Sequence, residues 1–301
     1  TRSFHVTGVQ TCALPILTSD KTVGVVGGGP MGVGIAYVFA AAGWSTFVAE
    51  PDDRRATAMH ESWQMAAQSA VKRGKWSQEE SQVLLDRIQR LKSVDALPAS
   101  LNLVIESVPE KLELKQSVLK SIVAKAPSLI ATNTSSMSID LLSQSVLDPA
   151  TFLGMHFFNP VWSLHLVELI RGQHTSENTI QKAKAIAATL GKQTILVKNM
   201  PGFATSRLDL IASLEAMRMV QEGVASAEDI DLAATVAYRH PMGPLRLSDV
   251  VGLDVRLDIA QQLSQTLGER YEPPRILREM VARGELGQKS GKGFFDWSSQ
   301  N

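Results

Sequence analysis

With 301 residues, 44% of them hydrophobic and 20% charged, the chain is long enough for one large domain or two ordinary ones around a sizeable core. Lysine and arginine total 30 and meet 30 aspartates and glutamates, so no charge excess points to nucleic acid or an anionic membrane as partner. The single cysteine, Cys12, rules out an internal disulfide and fits a reducing, cytoplasmic setting, and no apolar run reaches the roughly 20 residues of a membrane-spanning helix.

Residues 1–16, TRSFHVTGVQTCALPI, carry a basic residue and a short apolar patch that Pro15 interrupts. The patch is too short for a signal-peptide core. It reads as translated sequencing-adaptor sequence, and residues 1–19 are set apart as a non-native or disordered leader.

The organising stretch is 21–50, KTVGVVGGGPMGVGIAYVFAAAGWSTFVAE. A short apolar run, 23–26, enters the turn Gly27-Gly28-Gly29-Pro30-Met31-Gly32. A helical pattern through Ile35, Val38 and Phe39 follows and ends at Gly43, and a β-type run over 45–49 stops at Glu50. Strand, glycine turn, helix, strand and acid in that order predict a dinucleotide-binding βαβ unit. Gly27 permits the tight turn, Gly29 lets backbone approach a pyrophosphate, and Gly32 lets helix and strand pack closely. The helix start, with Pro30 and Met31, offers its N–H groups and positive dipole end to the phosphates. Glu50 can accept hydrogen bonds from both ribose hydroxyls and would repel a 2′-phosphate, which favours NAD over NADP, although Arg54 and Arg55 could soften that preference. The bland alternative is a tight βα turn without a ligand. Gly28 favours that alternative, because it makes the turn looser than it need be.

After Glu50 the pattern predicts a helix over 53–72, a turn at Arg73-Gly74-Lys75, and a second helix from Ser77 to about Leu91. Ser77 and Glu80 form a capping-box pair at its start. Strands are predicted over 101–105 and 129–132, with a helix through Leu112, Leu114, Val118 and Ile122 between them. The segments that follow these strands, Glu106 to Glu110 and Asn133 to Ser136, should face a ligand beyond the carboxyl ends of the sheet. A strand over 152–158 leads into Asn159-Pro160, and 165–170 reads as a returning strand that carries Glu168. A helix over 176–190 and a strand over 194–197 complete a sheet. From Phe203 onward the pattern is helical only: 203–221, 226–237, 257–267 and 274–283. His240-Pro241-Met242-Gly243-Pro244 reads as a turn. The expected architecture is α/β: a Rossmann-type nucleotide domain over 20–199, then an all-helical domain over 200–301.

Among six histidines, His156 stands out. If the two strands form a hairpin, Glu168 returns beside it, and a histidine held by a carboxylate gains the fixed tautomer that suits a general base. On spacing alone, a purely structural histidine–carboxylate pair stands ahead of that reading. No cluster has metal-ligand spacing, so no metal is expected, and no nucleophile elbow is present.

These residues resemble the 3-hydroxyacyl-CoA dehydrogenase family over about 21–297. The resemblance is carried by GGGPMG, NTSS, GMHFFNPV, Pro201-Gly202-Phe203, HPMGPLRLSDVVGLD and GQKSGKGFFDW. It implies hydride exchange between NAD and C3 of a short 3-hydroxyacyl-CoA, as in fatty-acid β-oxidation, with His156 as base and Glu168 as its carboxylate partner. It further implies that Asn159 and Ser135 contact substrate and cofactor, and that Glu110, Lys115 and Lys289 contact the cofactor. On residues alone, Lys115 and Lys289 would be ordinary solvated lysines. Where the family commonly has asparagine after the Pro-Gly-Phe entry, this chain offers Ser206, which is shorter and has one donor fewer. Lys72 and Lys75 are candidates for the CoA phosphates, against an ordinary solvated charge run. The resemblance also implies a homodimer made by the helical domain. Two other readings stand beside the thioester enzyme: a dehydrogenase of a free 3-hydroxy acid of the L-gulonate or carnitine type, and a silent nucleotide-binding or structural protein on the same scaffold.

Overall fold

A computed structural model describes residues 21–298, so the leader at 1–19 lies outside the described residues. The chain divides into two compact units, one ending at Asn199 and the other beginning at Met200.

The first unit is an α/β sheet layered with helices. β1 (Thr22–Val26), α1 (Pro30–Ala41) and β2 (Ser45–Ala49) form the opening βαβ unit. α2 (Asp53–Lys72), α3 (Gln78–Asp86) and β3 (Ile88–Leu91) follow. Next come β4 (Leu103–Glu106), α4 (Leu112–Val123), β5 (Ile130–Thr132) and a short α5 (Ile139–Ser143). β6 (Phe152–Phe157), β7 (Leu166–Arg171), α6 (Glu177–Thr189) and β8 (Gln193–Lys198) close the unit. The strand order is β3-β2-β1-β4-β5-β6-β7-β8. Neighbouring strands run parallel throughout, except for the antiparallel pair β6 and β7. The chain leaves β1 toward β2 on one side and returns to β4 on the other, so the order reverses beside β1. In an open α/β sheet, that reversal opens a crevice beyond the carboxyl ends of the strands. The central strands are apolar on both faces, as a sheet covered on both sides requires: Val23, Val25, Leu103 and Ile105 are all fully buried. α1 is buried along most of its length, including Ile35, Ala36 and Phe39, because it lies over this sheet.

The second unit is helical: α7 (Thr205–Glu222), α8 (Ala227–Ala237), α9 (Pro244–Val251), α10 (Leu253–Leu267) and α11 (Arg275–Ala282). Leu210, Leu214 and Met217 of α7 pack with Leu245, Leu253, Leu263 and Leu277 in its core.

Three expectations are corrected. The helix read over 77–91 ends at Asp86, because Ile88 to Leu91 pair in parallel with Thr46 to Ala49 as an edge strand. Pairing with β2 overrides a helical periodicity that runs smoothly through the boundary. α5 follows Ser138, whose hydroxyl accepts from the Leu141 amide at 3.3 Å. Pro244 begins α9, where only a turn was expected. The cap of α9 comes from elsewhere in the chain: Asp231 of α8 accepts from the amides of Leu245 (2.9 Å) and Arg246 (2.8 Å). Gly252 then breaks the chain with φ +104°, and α10 starts at Leu253, earlier than predicted.

Candidate active site

The crevice beyond β1 to β6 is a cavity of about 990 Å³, all of whose lining residues lie in the first unit. Each strand end contributes. Gly27 to Met31 follow β1, Glu50 follows β2, and Ser107 to Glu110 follow β4. Asn133 and Ser135 follow β5, and His156 to Asn159 come from the end of β6 and just beyond it.

The glycine turn fits its task atom by atom. Gly27 adopts φ +112°, and a Cβ there would lie 2.5 Å from the Ser107 carbonyl oxygen. A Cβ on Gly32 would lie 1.9 Å from the Gly27 carbonyl oxygen, so Gly32 is the contact that seats α1 against the turn. Gly29 differs: a Cβ there meets no atom within 4 Å, because that side of the turn faces the cavity. Pro30 occupies the first helical position, where its missing N–H costs nothing. The first-turn amides behind it have no acceptor within the helix and suit an anion.

Gly28, which in the sequence counts against a ligand at the turn, is needed for Glu50. Its amide donates to Glu50 Oε2 at 2.9 Å, and a Cβ on Gly28 would press to 2.9 Å from the same carboxylate and 2.1 Å from Met59 Sδ. The amide of Asp52 donates to Glu50 Oε1 at 3.0 Å, and Arg55 lies 3.4 Å from Oε2. Glu50 is thus a buried carboxylate, oriented by backbone, at the cavity wall. A dinucleotide fits these residues: an open glycine face for its pyrophosphate and a fixed acid for ribose hydroxyls.

At the other end, β6 and β7 set His156 directly opposite Glu168. His156 Nδ1 lies 3.0 Å from Glu168 Oε2, and the carboxylate is fully buried. The Phe158 ring leans on the imidazole, centroid to centroid 4.4 Å. Beyond it, Asn159 and the loop that follows are held from outside the cavity. Lys192 Nζ donates to the carbonyls of Val161 (2.7 Å) and Leu164 (2.6 Å). Val161 fits a notch at Gly34, where a Cβ would come within 2.7 Å of Val161 Cγ2. Burial, aided by the nearby Lys75 charge, pushes the Lys192 ammonium below the usual lysine range.

The other sequence candidates do not line the cavity. Lys115 is fully buried, not solvated; its ammonium lies 2.9 Å from Glu106 Oε1 and 3.1 Å from Glu110 Oε2, behind the cavity wall. Lys72 and Lys75 are exposed at the end of α2 and the turn after it, with Lys75 Nζ 5.8 Å from the centre of the Trp76 ring. Ser206 lies in the first turn of α7, and Lys289 is held by Asp254 at 2.5 Å in the helical unit. The Lys289 hydrogen bond, more than any other influence, keeps the Asp254 carboxyl below its usual range. Sequence reasoning missed Lys92, Ser93 and Val94, which line the cavity just beyond β3. They escaped because β3 itself did, and the only local signal was the short alternation in Ile88-Gln89-Arg90-Leu91.

An open glycine turn and a fixed acid at one end, and a histidine paired with a carboxylate at the other, fit a nicotinamide-dependent dehydrogenase. The comparisons narrow that class. Residues 22–200 match the model of the 3-hydroxyacyl-CoA dehydrogenase NAD binding domain, and residues 202–297 match that of the 3-hydroxyacyl-CoA dehydrogenase C-terminal domain. A 3-hydroxybutyryl-CoA dehydrogenase of Mycobacterium tuberculosis is 39% identical over 282 residues, covering 92% of this chain and 98% of that protein. Its counterpart in Bradyrhizobium diazoefficiens is 38% identical over 282 residues, covering 92% and 95%. The crystal structure of the (S)-3-hydroxybutyryl-CoA dehydrogenase from Ralstonia eutropha superposes with a TM-score of 0.88 at 38% identity, covering 93% of this chain and 99% of the other. The chain belongs to the 3-hydroxyacyl-CoA dehydrogenase family, and it is an NAD-dependent oxidoreductase of 3-hydroxyacyl-CoA thioesters.

Proposed function

We propose that this enzyme interconverts a short-chain L-3-hydroxyacyl-CoA, such as 3-hydroxybutyryl-CoA, and the 3-oxoacyl-CoA, with His156 as proton carrier and Glu168 as its partner. The observation that carries the proposal is the 3.0 Å contact between His156 Nδ1 and Glu168 Oε2 at the cavity wall. With Nδ1 committed to the carboxylate, Nε2 is the nitrogen that takes a proton. Bound NAD supplies the hydride acceptor at C3. As the C3–H electron pair leaves, the 3-hydroxyl proton passes to His156 Nε2 and the C3–O bond becomes a carbonyl; reduction runs the same path backward. Glu168 stabilises the imidazolium that forms, and its burial keeps water from weakening that attraction. Asn159 and Ser135 present a carboxamide and a hydroxyl from neighbouring strand ends, suited to holding the thioester and the reacting oxygen. Lys72 and Lys75 extend cations toward solvent for the CoA phosphates.

The test follows NADH absorbance at 340 nm with acetoacetyl-CoA. Wild type is expected to turn over with NADH in preference to NADPH. His156→Ala should lose on the order of 10² to 10⁴ in kcat, the usual worth of a positioned base. Full activity in that variant would remove His156 from the mechanism. Turnover of free hydroxy acids alone would reassign the substrate.

A homodimer belongs to the same proposal. α8 leaves Leu232 and Val236 59% and 69% exposed on one helical face, an apolar stripe that a second copy would cover. Light scattering on Leu232→Glu/Val236→Glu should report a monomer where wild type reports a dimer.

A further inference from the structure

Behind the nucleotide cavity lies a charge cluster that the reaction does not use directly. Glu106, at the carboxyl end of β4, is fully buried. Its Oε1 accepts from the Val108 amide (2.7 Å) and from Lys115 Nζ (2.9 Å). Its Oε2 accepts from Thr132 Oγ1 (2.6 Å) and from the same ammonium (3.1 Å). Glu110 Oε2 lies 3.1 Å from the same ammonium and forms an ion pair with it. An ammonium has three N–H donors, and here three carboxylate oxygens surround it. Lys115 is therefore held from behind the wall, and of these three acidic and basic groups only Glu110 reaches the cavity.

Glu110 passes the constraint on. Its Oε1 accepts from the hydroxyls of Thr134 and Ser136 (the latter at 3.2 Å), and Thr134 Oγ1 accepts in turn from the Met137 amide at 3.0 Å. These bonds fix the turn that carries Ser135. Asn133, one residue before Thr134, donates its amide to the Glu106 carbonyl (2.7 Å) and accepts from the Phe157 amide (2.9 Å), beside His156.

We propose that Glu106 is a positioning residue for nucleotide binding, acting through Lys115 on Glu110 and through Glu110 on the Ser135 turn; the proposal rests on the cavity being the NAD site. Removing one partner of a buried pair leaves an unbalanced charge, whereas replacing both by apolar groups of similar volume is close to neutral for folding. That asymmetry separates structure from function. The experiment measures NADH affinity by fluorescence titration, and thermal stability in parallel, for wild type, Glu106→Gln, Lys115→Met, Thr132→Val and the double variant Glu106→Met/Lys115→Met. The double variant is expected to regain most of the wild-type Tm yet bind NADH at least tenfold more weakly, because Glu110 has lost its cation. Glu106→Gln keeps the Lys115 cation beside Glu110 but loses the carboxylate that orients it, so it should weaken NADH about threefold, less than the double variant. Thr132→Val removes one hydrogen bond and no charge; it should lower Tm by only a few degrees and weaken NADH about threefold. Wild-type NADH affinity in the double variant would make the cluster merely structural and overturn the proposal, as would an unaltered affinity in Thr132→Val. Absence of NADH binding by wild type would instead strike the reading of the cavity.

Discussion

Gly28 and Gly29 are adjacent and chemically identical, yet the structure gives them opposite duties. Gly28 faces inward, against Glu50 and Met59, and its missing Cβ makes room for a protein carboxylate. Gly29 faces outward, and its missing Cβ makes room for a ligand. Gly29 has φ −71°, which any residue can adopt, so alanine there introduces no backbone strain. Gly29→Ala should therefore leave Tm unchanged while weakening NADH tenfold or more, because the methyl stands where backbone must approach the pyrophosphate. Gly28→Ala should cost about 1–3 kcal/mol of stability through overpacking, and should also weaken NADH by displacing Glu50. Thermal melts with and without NADH separate the two. Equal destabilisation of the apo protein by both substitutions would contradict the assignment of faces.

At the scale of elements, the loop after β6 is held by a single buried cation. Lys192 precedes β8 and satisfies two carbonyls of the 160–164 segment, whose first residue follows Asn159. Lys192→Met keeps the aliphatic stem and removes both bonds. It should lower kcat with acetoacetyl-CoA about tenfold while leaving the NADH dissociation constant within about twofold, since hydrogen bonds from charged groups are each worth roughly 1.5–3 kcal/mol. The charge also leaves a pH signature. Because the folded-state pKa lies below the ordinary 10.5, the unfolded chain holds a proton that the native protein has already released between those two values. Stability conferred by this site therefore rises with pH across that window. Urea midpoints should show wild type gaining on Lys192→Met as pH climbs toward 10.5. A constant difference would mean that Lys192 titrates normally. None of this was legible in the sequence, where Lys192 is a lysine after a Gly191 turn. What was legible is local: the order from β1 through Glu50, the capping box at Ser77, and the returning strand that brings Glu168 opposite His156. What was not legible depends on distant partners. β3 exists because β2 pairs with it, α9 starts where Asp231 caps it from another helix, and Lys115 is buried because Glu106 and Glu110 meet it there.

For the whole molecule, the division at Asn199 and Met200 separates two self-contained cores. The cavity lining runs from Val26 to Asn159 and draws on no residue beyond the first unit. The sheet has its own cover of helices, with α1 on its central strands and α6 packing through Ile180, Ala183 and Ile186 into the same core. A unit of this size buries enough apolar surface to fold alone. Residues 21–199 expressed by themselves should then fold cooperatively and bind NADH within about threefold of the full chain, since mass action needs only the atoms that touch the ligand. The same fragment should be monomeric, because the exposed stripe of Leu232 and Val236 belongs to α8. The two readouts bear on different claims. A folded fragment that fails to bind NADH would show that residues from Met200 onward contribute to nucleotide affinity. A folded fragment that binds NADH but still dimerises would move the subunit interface onto the sheet-bearing unit. Binding by a monomer would assign recognition of the cofactor to the first unit and self-association to the second.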